Sequence, residues 1–166
     1  MAKRHLFTAE VAWRVDGDFA ANAYSRGHVW RFDGGIEVPA SASPLVVPHH
    51  AVAAAVDPEE AFVAALSSCH MLWFLDLARR DGLWVEAYRD AAEGTMERTE
   101  AGRWAITRVL LRPAIAFSAA PLPAAERLAA LHEKAHEACF IANSVRSEVV
   151  VEALPAALAS AAAERD

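Results

Sequence analysis

The sequence predicts an α+β domain, a mainly antiparallel sheet packed on two helices, one of them long, central and buried. Three observations carry that expectation. Residues 57–80, DPEEAFVAALSSCHMLWFLDLARR, form the longest strongly apolar segment and are framed by helix start and stop signals. Residues 124–139, AAERLAALHEKAHEAC, read as a second helix opened by Pro121 and Pro123. The other patterned segments are short, alternate loosely and are bounded by turn residues, giving the order β-β-α-β-β-α-β.

Taken in order, residues 5–14 (HLFTAEVAWR) give a first strand, Gly17-Asp18 a turn, and residues 24–33 (YSRGHVWRFD) a second strand that pairs with the first as a hairpin. Asp33-Gly34-Gly35 breaks the pattern. A long irregular segment follows, with Pro39, Pro44, Pro48 and the pair His49-His50. A loop of that length in a compact domain usually carries function or crosses to a partner.

In the long helix Asp57 is the expected N-cap, Pro58 fits the first helical position and Glu60 stands where a capping-box carboxylate belongs. Ala61, Phe62, Ala64, Ala65, Leu66, Leu72, Trp73, Leu75 and Leu77 make it apolar nearly all round, which predicts a helix surrounded by protein. Arg79 and Arg80 favour its negative end and Gly82 stops it. Residues 83–98 (LWVEAYRDAAEGTMER) read as a strand bulged near Gly94. Residues 104–117 (WAITRVLLRPAIAF) read as another, with Pro113 at a bulge or edge. A short strand covers 146–153, and the alanine-rich tail carries no pattern.

Composition narrows the function classes. A chain of 166 residues is expected to be one domain, 1–166, with a sizeable core. The hydrophobic fraction of 55% is inflated by alanine, and the mean hydropathy is only +0.15. Segment 61–78 has about the length of a bilayer span, but His70, Asp76 and the polar cap argue for a soluble core helix. MAKRHLFTAEVAW lacks the apolar run of a signal peptide, so a cytoplasmic location is expected. The net charge of −6 argues against nucleic acid or an anionic membrane as partner. Two cysteines in such a chain read as thiols in a reducing compartment.

Cys69 and Cys139 lead the candidates for chemistry. Their separation of 70 residues is no CxxC motif, and two buried cysteines often serve only as small hydrophobes. Each nevertheless has polar company: Ser67, Ser68 and His70 around one, His136 and Asn143 around the other. Two packed helices bring such thiols within disulfide reach if their Cα atoms approach to about 5.5 Å.

The run DPEEAFVAALSSCHM, with Cys69, and HEKAHEACFIANS, with Cys139, resemble the two cysteine motifs of the OsmC/Ohr family of osmotically inducible and organic-hydroperoxide-resistance proteins. YSRGHVWRFDGG resembles the segment carrying that family's active-site arginine. The likeness runs from about residue 20 to 152, and SSCHM and HEACFIANS are closer to the OsmC-like branch. Phe140 stands where Ohr proteins tend to have proline.

The resemblance implies thiol-dependent reduction of organic hydroperoxides, without a cofactor or metal. Cys69 would be peroxidatic, Cys139 resolving, Arg26 the arginine that holds the thiolate (with Arg31 the rival) and Glu59 the positioning carboxylate. It also implies an intertwined homodimer with active sites at its interface, and a dithiol reductant such as a lipoylated protein. Ten helical residues, roughly 15 Å of rise, separate Glu59 from Cys69. Both serve one site only if Arg26 bridges them, the helix breaks, or a second chain supplies one of them.

Further readings compete. Trp13, Trp30, Trp73, Trp84 and Phe140 suggest an apolar pocket or simply core. His70 either assists the thiol or hydrogen-bonds in the core. HEKAH matches HExxH, so His132 and His136 with Cys139 form a possible metal set; otherwise His132 and Glu133 are solvated surface. A non-catalytic module binding a small apolar ligand is the third function class.

Overall fold

The computed structural model describes residues 4–159. Contacts divide the chain into two compact units, with the boundary between Ala61 and Phe62. In the first unit, β1 (Ala9–Ala12) leads into a small ribbon of β2 (Gly17–Asp18) and β3 (Ala23–Tyr24), and then into β4 (His28–Phe32) and β5 (Glu37–Ala40). Strands β1, β4 and β5 form one antiparallel sheet in the order β1-β4-β5, with Val11 opposite Trp30 and Trp30 opposite Val38. The expected hairpin is therefore present, with the β2–β3 ribbon inserted in its connection. β5 falls in the segment expected to be irregular; its ladder is with β4, and on its other side Val56 bridges to Ala40 and donates its N–H to the Pro39 carbonyl at 3.1 Å, a bond that asks no N–H of the proline.

Helix α1 (Pro58–Arg80) starts where its signals place it. The Glu60 N–H donates to Asp57 Oδ1 at 2.7 Å, and the Asp57 N–H donates back to Glu60 Oε2 at 3.2 Å, closing a capping box. At the other end Gly82 adopts φ +74°, the Leu83 N–H reaches the Ala78 carbonyl at 2.9 Å and the Gly82 N–H the Arg79 carbonyl at 3.1 Å. These are the two bonds of a Schellman stop, and the left-handed residue between them favours glycine.

The second unit continues with β6 (Val85–Asp90), β7 (Glu93–Arg98), β8 (Trp104–Leu111), β9 (Pro113–Phe117), α2 (Ala125–Ala138), β10 (Glu148–Val151) and β11 (Ala157–Leu158). Each long strand expected from the sequence, 83–98 and 104–117, is in fact two strands belonging to different sheets, β10-β8-β7 and β11-β9-β6. The chain changes sheet after Asp90 and changes back at Arg112. Asp90 pins both places: its carboxylate accepts the Arg112 N–H and the Ser67 hydroxyl, each at 2.6 Å. Pro113 then opens β9, where no N–H is needed from it. The β6–β9 and β7–β8 ladders are antiparallel, while β10–β8 and β11–β9 are parallel.

The core of this unit consists of a cluster of Phe74, Ala78, Ile115, Phe117, Leu128, Leu131 and Ala135 and a second of Leu66, Val109 and Leu111. Each large side chain fully buried there contributes about 1.5–3 kcal/mol. The fully buried residues of helix α1 form one stripe, Leu66, His70, Phe74 and Ala78, flanked by half-buried Val63, Trp73 and Leu77 packed against the core. The expectation of a helix enclosed all round fails for the single chain, because Leu72 is 62% exposed. α1 is the one helix among the described residues long and apolar enough to cross a membrane. Its buried polar stripe residue His70, and Asp76 paired with Arg79 and Arg80, are features of a core helix.

Candidate active site

Two helices bring the cysteines together. Cys69 lies in the middle of α1, and Cys139 is the C-cap of α2. Both are free thiols, and they are close enough that Cys69 helps to raise the pKa of Cys139. The local chain around Cys139 is held by Asn143, whose side-chain amide donates to the Glu137 and Cys139 carbonyls at 2.8 and 3.0 Å. These bonds satisfy two of the carbonyls that a helix end leaves open. The Ala142 N–H donates to Cys139 Sγ at 3.3 Å. That bond favours a thiolate, but burial opposes it and prevails: Cys139 is 1% exposed and its pKa is pushed up to about 11. At neutral pH Cys139 is a thiol that holds its proton. Cys69 is half-buried and therefore the more accessible sulfur.

Arg26 and Glu59 belong to the first unit. Arg26 donates to the Tyr24 carbonyl at 2.8 Å and to Asn22 Oδ1 at 2.6 Å, and its guanidinium lies 3.6 Å from the centroid of the Tyr24 ring. The geometry is a cation–π contact. It forms one wall of a cavity of about 450 Å³ lined also by Trp13, Phe19, Tyr24, His28 and Pro58. The His50 carbonyl accepts the Arg26 backbone N–H at 2.9 Å, which ties the His49-His50 loop to this segment. Arg31, the rival arginine, is occupied at the surface by Glu10 and Glu37. Glu59 Oε2 is buried with no hydrogen-bond partner among the described residues.

The histidines correct one expectation. His132 is not solvated surface but 4% exposed, and its Nδ1 lies 2.9 Å from Nε2 of His70, itself 1% exposed. The two rings lie nearly coplanar, edge to edge, with centroids 5.3 Å apart, and the face of His132 stacks on Phe74 at 4.4 Å. Burial lowers both pKa values to about 4, so the pair is neutral at pH 7 and shares one hydrogen bond. His70 thus takes the core role. The possible metal set of His132, His136 and Cys139 is not assembled: among the described residues no group of three His, Cys, Asp or Glu is placed to hold an ion. The sequence signal for the pair was the i, i+4 stripe of each helix, on which His70 and His132 both fall. The aromatic set also divides. Trp13 lines the first-unit cavity, Trp73 packs edge-on against Phe140 at 5.4 Å, and Trp84 is 75% exposed.

Comparison with known proteins places these features in a family. Residues 50–153 match the family model of the OsmC-like proteins. An OsmC-like protein of unknown function from Vibrio cholerae is 49% identical, with a TM-score of 0.89, over 91% of this chain and 100% of that one. Two organic hydroperoxide resistance proteins share the fold. The one from Elizabethkingia anophelis has a TM-score of 0.68 at 18% identity, over 96% of this chain and 100% of its own. OhrB of Bacillus subtilis has a TM-score of 0.65 at 19% identity, over 90% and 100%. No curated protein matches the chain significantly.

Proposed function

Since this chain belongs to the OsmC-like family, we propose that it is a thiol-dependent peroxidase that reduces organic hydroperoxides with the pair Cys69 and Cys139. The observation that carries this reading is the proximity of the two thiols: Cys69 from the middle of α1 acts on the buried thiol of Cys139 at the end of α2.

Cys69, the more accessible sulfur, is the nucleophile. As thiolate it attacks the terminal oxygen of ROOH, the O–O bond breaks, and the electron pair leaves on RO⁻, which takes a proton to become ROH. Cys69 is left as sulfenic acid. Cys139 then attacks the Cys69 sulfur, its proton and the sulfenic hydroxyl leave as water, and a disulfide forms before over-oxidation. A dithiol, such as a lipoyl group, reopens it by exchange. In this reading Arg26 stabilises the thiolate and the developing alkoxide, and Glu59 orients Arg26. The protein acts as a single OsmC-like domain of the cytoplasm and as a homodimer whose interface completes the site.

The test is the consumption of cumene hydroperoxide by the reduced protein with excess dithiol, with hydrogen peroxide as the comparison substrate. Cys69→Ser should lower turnover to the rate of buffer with dithiol. Cys139→Ser should stop after about two equivalents, the first giving sulfenic acid at Cys69 and the second its sulfinic form. No turnover by the wild type, with both thiols inert to peroxide, refutes the mechanism.

A further inference from the structure

Cys139 takes up the resolving role at a disadvantage. With its pKa pushed up to about 11, only about one thiol in ten thousand is ionised at pH 7. Its attack on Cys69 therefore depends on being held in place, which can raise an effective concentration by many orders of magnitude. The holding has to be done at the end of α2, where Cys139 is the C-cap and where helices fray. Three bonds shape the turn that follows. The Ala142 N–H donates to Cys139 Sγ at 3.3 Å, the Asn143 amide to the Cys139 carbonyl at 3.0 Å, and the Ser144 hydroxyl to the Phe140 carbonyl at 2.7 Å. All three are local, so they fix the form of the turn and not its place against α1.

Two sets of contacts fix that place, one on each side of Cys69 along α1. Ile141 and Ala142 pack against the cluster of Leu66, Val109 and Leu111, whose α1 member precedes Cys69 by about one turn. On the other side, Trp73 follows Cys69 by about one turn. The Phe140 ring meets it edge-on, with centroids 5.4 Å apart and planes at 83°. This is a favoured aromatic geometry. Trp73 is itself packed against the core, whereas Phe140 is 69% exposed. Removing the Phe140 ring therefore leaves the turn seated through Ile141 and Ala142 but unclamped on the side of Trp73. We propose, on the basis of the thiol-peroxidase reading, that Phe140 and Trp73 are positioning residues for the resolving step, holding Cys139 against Cys69 so that the disulfide forms before a second peroxide arrives.

Two fates of the Cys69 sulfenic acid compete. In one, the Cys139 sulfur displaces the sulfenic hydroxyl, the S–S bond forms, and the hydroxyl leaves with the Cys139 proton as water. In the other, a second ROOH gives its terminal oxygen to the sulfenic sulfur, leaving a sulfinic acid and ROH. Only the first depends on where Cys139 stands. The experiment mixes the reduced protein rapidly with cumene hydroperoxide, quenches it in acid, and counts the sulfenic, disulfide and sulfinic forms by intact mass. Phe140→Ala should form the disulfide roughly two- to tenfold more slowly, the range to which one edge-to-face pair corresponds, and its sulfinic fraction under excess peroxide should rise in proportion. The first oxidation of Cys69 should keep the wild-type rate. Phe140→Tyr, which retains the ring, should restore the wild-type partition. Trp73→Leu should match Phe140→Ala, and the two together should cost no more than either alone. An unchanged partition in Phe140→Ala, a loss confined to the first oxidation, or additive effects of the two substitutions would overturn the assignment and leave the peroxidase standing. A wild type that forms neither sulfenic acid nor disulfide sinks both. If Trp73→Leu fails to fold, Phe140→Ala and its tyrosine rescue decide.

Discussion

His70 and His132 place two imidazoles in the interior with only each other as hydrogen-bond partners. His136 and Asp90 are the titratable groups that act on them, His136 disfavouring charge on His70 and Asp90 favouring it on His132. Burial outweighs Asp90, and both folded pKa values lie near 4, below the ordinary 6.5. Between pH 6.5 and 4 the unfolded chain binds protons that the folded chain refuses. Stability is therefore full above pH 6.5 and declines as pH falls toward 4. From pH 7 to 5 each imidazole should remove about 2 kcal/mol. Urea unfolding at the two pH values tests this, and His132→Gln should flatten the dependence; an equal midpoint at both pH values would contradict it. Cys139 supplies a second residue-scale expectation. Burial, the largest cause of its raised pKa, persists without Cys69, so the single thiol of Cys69→Ser should react with iodoacetamide at pH 8 at least about tenfold more slowly than a free cysteine.

Among the elements, α1 depends on its reciprocal cap. Asp57→Ala removes the acceptor of the Glu60 N–H and should cost about 1 kcal/mol, read from the urea midpoint with Glu60→Ala as the partner in a double-mutant cycle. β7 depends on Gly94, where an added Cβ would stand 2.6 Å from Val63 Cγ2. Gly94→Ala should destabilise by roughly 1–3 kcal/mol, and Val63→Ala in the same chain should restore part of the loss. Both helices were legible in the sequence because caps, stops and stripes are local signals. The division of 83–98 and 104–117 between two sheets was not legible. Asp90 pins those crossings through Ser67 and Arg112, each more than twenty residues away, and alternation along a strand does not report which sheet it joins. The thiol pair was legible as a pair of motifs. The His70–His132 bond was not, because each helix's stripe marks its histidine as inward-facing but no local signal says that the two stripes meet at positions 62 residues apart.

At the scale of the whole molecule, the proposed site turns on the source of its carboxylate. α1 is unbroken from Pro58 to Arg80, so Glu59 and Cys69 of one chain stand about ten residues, roughly 15 Å, apart along its axis. The side of α1 opposite the buried stripe exposes Leu72, an apolar surface that a second copy would cover. If two copies pair across it in twofold symmetry with Glu59 of one meeting Cys69 of the other, each site takes its carboxylate from the partner. Mixed dimers distinguish this from a site built within one chain. Glu59→Gln and Cys69→Ser should each be nearly inactive alone. Unfolded together and refolded as a mixture, they should recover about a quarter of the wild-type rate, since about half the dimers are mixed and each holds one intact site. Within a single-chain site every copy lacks one residue, and no activity returns. Leu72→Lys should weaken the association, seen by sedimentation as a shift toward the 17.9 kDa chain, and should lower peroxidase activity in proportion to the dimer lost.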